Sequence, residues 1–177
     1  MNYLGIDKTS ISNGPGVRVV LWVAGCTLYC KGCQNPESWD FNAGKLFDKD
    51  AKQELFASLD KSYIHGITLS GGHPLEYEHL PVVYDLIKEI KTCFPEKDIW
   101  LYTGYKLSIN DFDNTVDICW NNALLRNYIL TMCDVVVDGP YIAEQRDITL
   151  KFRGSKNQRL IDVKETIKQG KIITIQN

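Results

Sequence analysis

Residues 17–36 read VRVVLWVAGCTLYCKGCQNP. The first seven, apart from Arg18, are β-branched, aromatic or aliphatic, the pattern of a buried strand. Gly25 then opens a glycine- and cysteine-rich loop that runs to about Pro36 and carries Cys26, Cys30 and Cys33. The strand therefore delivers three thiols at its C-terminal end. Outward from it, the chain alternates between helical and extended patterns. A helix is predicted over 49–59, with Ala51, Leu55, Phe56 and Leu59 on one face. A short strand over 66–69 ends at Gly71-Gly72. A second helix spans 80–92, with Leu80, Val83, Leu86, Ile87 and Ile90 at helical spacing. Residues 98–102 form a strand, 121–132 a helix through Leu124, Leu125, Tyr128 and Ile129, and 134–137 a strand closed by Asp138-Gly139-Pro140.

Strand, helix, strand in succession implies right-handed crossovers and a mainly parallel sheet. The units are too few to close a full β/α barrel. The expected fold is α/β: an open, partial β/α barrel whose functional loops sit at the C-terminal strand ends. The cysteine loop and the Gly71-Gly72 turn both follow strands, so they fall on the same edge. In the tail, Asp162-Val-Lys-Glu165 has the form of a capping box, Gly170 would end a short helix, and 171–175 (KIITI) reads as one more strand. With no internal repeat or linker, residues 1–177 read as a single domain.

Hydrophobic residues make up 44% and charged residues 24% of the chain, which excludes disorder as its dominant state. A net charge of −2 argues against broad nucleic-acid binding, although Arg153, Lys156 and Arg159 form a local basic group. No apolar run approaches membrane-spanning length, and residues 1–25 lack a basic segment followed by an apolar one. A cytoplasmic chain is expected, without nucleic-acid or membrane partners. There, the six cysteines are more readily metal ligands or buried thiols than disulfides.

Three thiolates can hold a [4Fe-4S] cube and leave one iron without a protein ligand, open to a substrate. Gly25 and Gly32 would let the backbone curl around it and turn N–H groups toward its sulfurs. A structural zinc ion is the competing reading, but zinc takes four ligands in paired motifs and the second pair is missing. Cys93, Cys119 and Cys133 are isolated and read as buried thiols; His65, His73 and His79 are not at ligand spacing.

Cys-x-x-x-Cys-x-x-Cys after a strand resembles the radical S-adenosylmethionine superfamily. Residues 13–16 (NGPG) with Arg18, 24–35 (AGCTLYCKGCQN), 70–75 (SGGHPL), 98–105 (DIWLYTGY), 138–140 (DGP) and 152–159 (FRGSKNQR) are similar, in that order, to the activating-protein family of anaerobic ribonucleoside-triphosphate reductase. The likeness runs from about residue 3 to 159 and leaves 160–177 as a C-terminal extension. The resemblance implies a [4Fe-4S] cluster on Cys26, Cys30 and Cys33, with S-adenosylmethionine chelating the open iron. Reductive cleavage would give methionine and a 5′-deoxyadenosyl radical. That radical would take a hydrogen atom from a glycine of the large reductase subunit and leave a glycyl radical there. Gly32, Cys33, Gln34, Gly71, Gly72, His73 and Tyr102 are the implied cofactor contacts. Arg153 would face a carboxylate of cofactor or partner, and flavodoxin or ferredoxin would supply the electron. Two positions depart from the family pattern: His73 stands where Asp or Glu is common, and Gln34 where an aromatic residue or histidine is common. An aspartate at 73 is accordingly expected to keep or improve cofactor binding. Activation of another glycyl-radical enzyme, such as pyruvate formate-lyase, and a metal-stabilised binding module without turnover remain the alternatives.

Overall fold

The computed structural model describes residues 1–113 and 122–176. One sheet of seven strands organises them: β1 (Asn2–Ser10), β2 (Val17–Val23), β3 (Lys45–Leu46), β4 (Ile64–Gly71), β5 (Asp98–Tyr102), β6 (Val135–Asp138) and β7 (Arg159–Asp162). Their order across the sheet is β3-β1-β2-β4-β5-β6-β7. The helices are α1 (Lys49–Leu59), α2 (Leu80–Cys93), α3 (Asn122–Met132) and α4 (Val163–Gln169).

The sheet is mixed, which corrects the expectation of a mainly parallel one. β2, β4, β5 and β6 run parallel in the middle, while β1 and β3 on one side and β7 on the other are antiparallel. The reason is connection length. Only the turn around NGPG separates β1 from β2, and a connection that short returns the chain antiparallel; parallel neighbours need a crossover. β7 straddles the boundary expected at residue 159, and Leu160 and Ile161 are fully buried in it. Residues 171–175 do not build a further strand. They cross β7 at a single bridge, Ile161 to Thr174.

Alternation along the strands sorts the two faces. Val19, Leu21, Val23, Ile67, Leu69, Ile99, Leu101 and Val136 join the apolar residues of α1, α2 and α3 in the main core. The opposite face carries Arg18, Thr68 and Ser70 on its middle strands and a second apolar cluster of Trp100, Val135, Val137 and Leu160 beside them. Arg18 is fully buried there. It pairs with Asp98 at 2.7 Å, donates to Thr68 Oγ1 at 3.0 Å and to the Ile67 carbonyl at 2.9 Å, and lies over the Trp100 ring. Thr68 in turn donates to the Asn13 carbonyl at 2.8 Å, so the NGPG turn is tied onto this face. Burial lowers the Arg18 pKa from its ordinary value, and the Asp98 carboxylate works against that.

The helix ends follow their sequence signals. Asp48 caps α1 through the Ala51 N–H, Asp162 caps α4 through the Glu165 N–H, and Gly170 ends α4 in the left-handed conformation. The capping box at α4 is half made, because the Glu165 carboxylate turns to Lys168 and Gln169 instead.

Candidate functional site

The C-terminal ends of β2, β4, β5 and β6 surround a cavity of about 460 Å³ on the face opposite the main core. Cys26, Cys30 and Cys33 line it, together with Gln34, Gly71, Gly72, His73, Tyr102 and Arg153. Of the expected site residues only Gly32 is outside the lining, against Tyr141 and Ala143.

The cysteine loop is built around its first thiol. Cys26 is buried, and burial pushes its thiol pKa up; Cys30 and Cys33 are partly open. The Gly25 N–H donates to the Ser38 carbonyl at 2.8 Å and the Cys26 N–H to the Trp39 carbonyl at 3.2 Å, so residues 38–39 fold back over the loop's root. Tyr29 takes a positive φ of 45° and sets its ring edge-on to Trp39. The Asn35 N–H points at the Cys33 sulfur at 3.4 Å, a donor of the kind that tunes thiolate ligands. Among the described residues, no three Cys, His, Asp or Glu side chains converge as ligands of one ion. The donor set of three thiols on one loop, beside a cavity, fits a cluster with an open iron; the single-zinc reading lacks its second pair of ligands.

Gly71 and Gly72 stitch the end of β4 to that loop. The Gly72 N–H donates to the Val23 carbonyl at 2.8 Å and the His73 N–H to the Gly25 carbonyl at 2.9 Å. Gly71 has a φ of 96° and packs against the Val23 backbone. Their small size is therefore used against the chain itself as well as toward the cavity.

His73 is not a surface loop residue. It is 1% exposed, sits edge-on to Tyr105, and bridges Glu76 and Thr103. Its carbonyl receives the Glu76 N–H at 3.0 Å and is met by the His79 ring at 2.9 Å, so it is turned inward. Burial raises the Glu76 pKa, but hydrogen bonds from His73 and from the Thr27 N–H and hydroxyl outweigh it, and the carboxyl is held down at about 2.

Tyr102 presents its ring to the cavity but commits its hydroxyl to the Phe152 carbonyl at 2.7 Å; burial raises its pKa. The run 152–159 divides by task. Gln158 accepts from the Gly154 and Ser155 N–H groups at 2.9 and 3.1 Å, and Asn157 donates to the Pro140 carbonyl at 2.7 Å. Arg159 pairs with the fully buried Asp138, which raises its pKa, and donates to the Leu107 carbonyl. These residues hold the loop. Arg153 alone among them turns a cation to the cavity, and its buried Nε has no hydrogen-bond partner. Gln34 reaches across the mouth to within 3.3 Å of where a side chain on Gly154 would begin. Of the isolated thiols, Cys133 is buried and donates to the Ile129 carbonyl, Cys93 is exposed, and Cys119 lies outside the described residues.

Comparison with known proteins agrees with this geometry. Residues 12–161 match the model of a 4Fe-4S single cluster domain. The anaerobic ribonucleoside-triphosphate reductase-activating protein of Haemophilus influenzae is 41% identical over 160 residues, 89% of this chain and 96% of the relative. The protein of the same name from phage T4 is 41% identical over 162 residues, 90% and 93% of the two chains, and that of Escherichia coli K12 is 36% identical over 160, 89% and 96%. The chain belongs to the anaerobic ribonucleoside-triphosphate reductase-activating protein family. Two residues that do not line the cavity but tie its walls together, Thr27 and Glu76, went unread in the sequence. They are 49 positions apart and meet only in the fold. The acidic residue three after His73 was the one available hint. No helix of the described residues of this activating-protein family member is long and apolar enough to cross a membrane.

Proposed function

We propose that this protein is a radical S-adenosylmethionine enzyme that installs a glycyl radical on anaerobic ribonucleoside-triphosphate reductase. The single observation that carries the reading is one cavity lined at once by Cys26, Cys30, Cys33, the Gly71-Gly72 turn and Arg153. When bound, a reduced [4Fe-4S] cluster supplies one electron to S-adenosylmethionine, and the adenosyl radical so released takes hydrogen from the reductase glycine.

The chain's own residues prepare that chemistry. Cys26, Cys30 and Cys33 would hold the cluster. Gly71 and Gly72 would let backbone approach the methionine amino group. His73 cannot offer that amine a carboxylate, and the Glu76 carboxylate beside it is turned to Thr27. Arg153, the cation in the cavity lining, would face the methionine carboxylate in a charge-assisted contact. The Tyr102 ring, locked by its hydroxyl bond, and Gln34 frame the adenosyl group. A primary alkyl radical reacts with whatever is near, so these walls exclude water until the partner's glycine loop fills the opening. Helices packed on one sheet face, with the cavity at the C-terminal strand ends on the other, support an open partial barrel as the frame. Flavodoxin or ferredoxin would deliver the electron in the cytoplasm.

The test is anaerobic reconstitution with iron and sulfide, reduction with dithionite and addition of S-adenosylmethionine. The reading requires 5′-deoxyadenosine, lost when Cys26, Cys30 or Cys33 is replaced by Ala. Uptake of zinc alone, with no deoxyadenosine, would overturn it in favour of a binding module.

A further inference from the structure

His73 and Glu76 form a buried pair; the resemblance to the family implies a cofactor contact for His73 but supplies no role for Glu76, whose bonds lead to the cysteine loop. Glu76 Oε1 takes three contacts: the Thr27 N–H at 2.8 Å, the Thr27 hydroxyl at 2.8 Å and His73 Nδ1 at 3.2 Å. His73 Nε2 meets Thr103 Oγ1 at 2.8 Å, and that oxygen also accepts the Tyr105 N–H at 3.2 Å. One proton arrangement satisfies every member. Nδ1 carries hydrogen toward the carboxylate, and Thr103 gives its hydroxyl proton to Nε2. His73 lines the cavity and Glu76 does not. The carboxylate common at position 73 in the family is thus present three residues on, facing the other way.

We infer that Glu76, held by His73, is a positioning residue for the cysteine loop: it pins Thr27 and so fixes where Cys26 leaves β2 and where the path to Cys30 begins. Such an anchor would order the loop without help from a metal, and ordering done in advance is entropy that ligand binding need not spend. Fixing both the N–H and the hydroxyl of one residue sets its backbone and its rotamer together. The anchor is rigid in turn, because His73 is clamped between β5 and the end of β4. The inference rests on the cluster reading for its consequence, not for its geometry.

Amide hydrogen exchange of the metal-free full chain tests it, followed by the rate at which a chelator strips iron from the reconstituted protein. Glu76→Ala should speed exchange at Thr27 by about tenfold, while Glu76→Gln, which keeps an acceptor for Thr27, stays within about twofold of wild type. His73→Ala should loosen Thr27 less, and add little to Glu76→Ala in the double variant, because the two act as one unit. Iron should leave the Glu76→Ala protein several-fold faster. If Glu76→Ala does not fold, Thr27→Val takes its place. It removes one donor only and should speed iron loss without changing exchange in β2 or β5. Unchanged exchange at Thr27, or a rise spread evenly through Leu21 and Leu101, overturns the inference by making Glu76 either idle or merely structural. If wild type takes up no iron and sulfide while Thr27 still responds to Glu76→Ala, the cluster reading falls and the pinned loop stands.

Discussion

Gly72 and Gly25 meet backbone to backbone: a Cβ on Gly72 would lie 2.5 Å from the Gly25 carbonyl oxygen and 3.0 Å from that of Ser38. Gly72 needs no unusual backbone angle, so an alanine there is penalised by contact alone. Something must shift, and the movable partner is the root of the cysteine loop. Gly72→Ala should cost about 1–3 kcal/mol, the usual range for overpacking, read from the urea midpoint. It should also lower iron and sulfide uptake out of proportion to that loss. A variant of unchanged stability and unchanged loading would show that the two backbones are not in contact.

How much of this was legible beforehand depended on distance along the chain. β2, α1, α2 and β5 carry unbroken periodic patterns, and local sequence places them to within a residue or so. β1 was invisible, because NYLGIDKTS has neither alternation nor an apolar run; its side chains are mostly half-buried or exposed. β7 hid behind a basic loop. The thiols were legible because ligand spacing is local. Glu76 was not, because its partner Thr27 is brought to it only by the parallel pairing of β2 with β4.

The same burial adds a stability cost to the substitution expected to suit the cofactor at position 73. Read from the sequence, aspartate at 73 should serve the cofactor as well or better. In the structure, the His73 ring nitrogen is 3.2 Å from the Glu76 carboxylate, with both residues buried. His73→Asp would set two carboxylates together, and one must take up a proton or move. The variant should lose about 1–3 kcal/mol at pH 7, the cost of leaving a buried group unsatisfied, and recover part of it at pH 5. Thermal melts at the two values decide. A melting point equal to wild type at pH 7 would mean that the introduced carboxylate has turned into the cavity.

Arg153 and Arg159 stand six residues apart in one basic run but should fail differently. Arg159 is bonded to the buried Asp138 and to the Leu107 carbonyl, so Arg159→Ala strands a buried charge. It should cost about 3–5 kcal/mol in stability. Arg153 lines the cavity, and its buried Nε has no hydrogen-bond partner. Arg153→Ala should leave the melting point nearly unchanged and weaken S-adenosylmethionine binding by about tenfold or more, the worth of a charge-assisted hydrogen bond. Binding is measured on the reconstituted protein. If Arg153→Ala lowers stability and leaves binding intact, the arginine belongs to the scaffold.

The depressed Glu76 carboxyl gives stability a sign with pH. Its pKa falls from an ordinary 4.5 to about 2 in the folded chain. Unfolded chains therefore take up the proton first as pH drops. The stabilisation is present above about 4.5 and is lost as pH falls through 2, below which both states are protonated. Its full size is roughly 3 kcal/mol from the shift alone. Glu76→Gln cannot titrate, so the stability difference between wild type and this variant should shrink steadily as pH falls from 5 to 2. Urea unfolding of the metal-free proteins along that range measures it. A difference that stayed constant across the window would show that the Glu76 carboxyl is not held by Thr27 and His73 in solution.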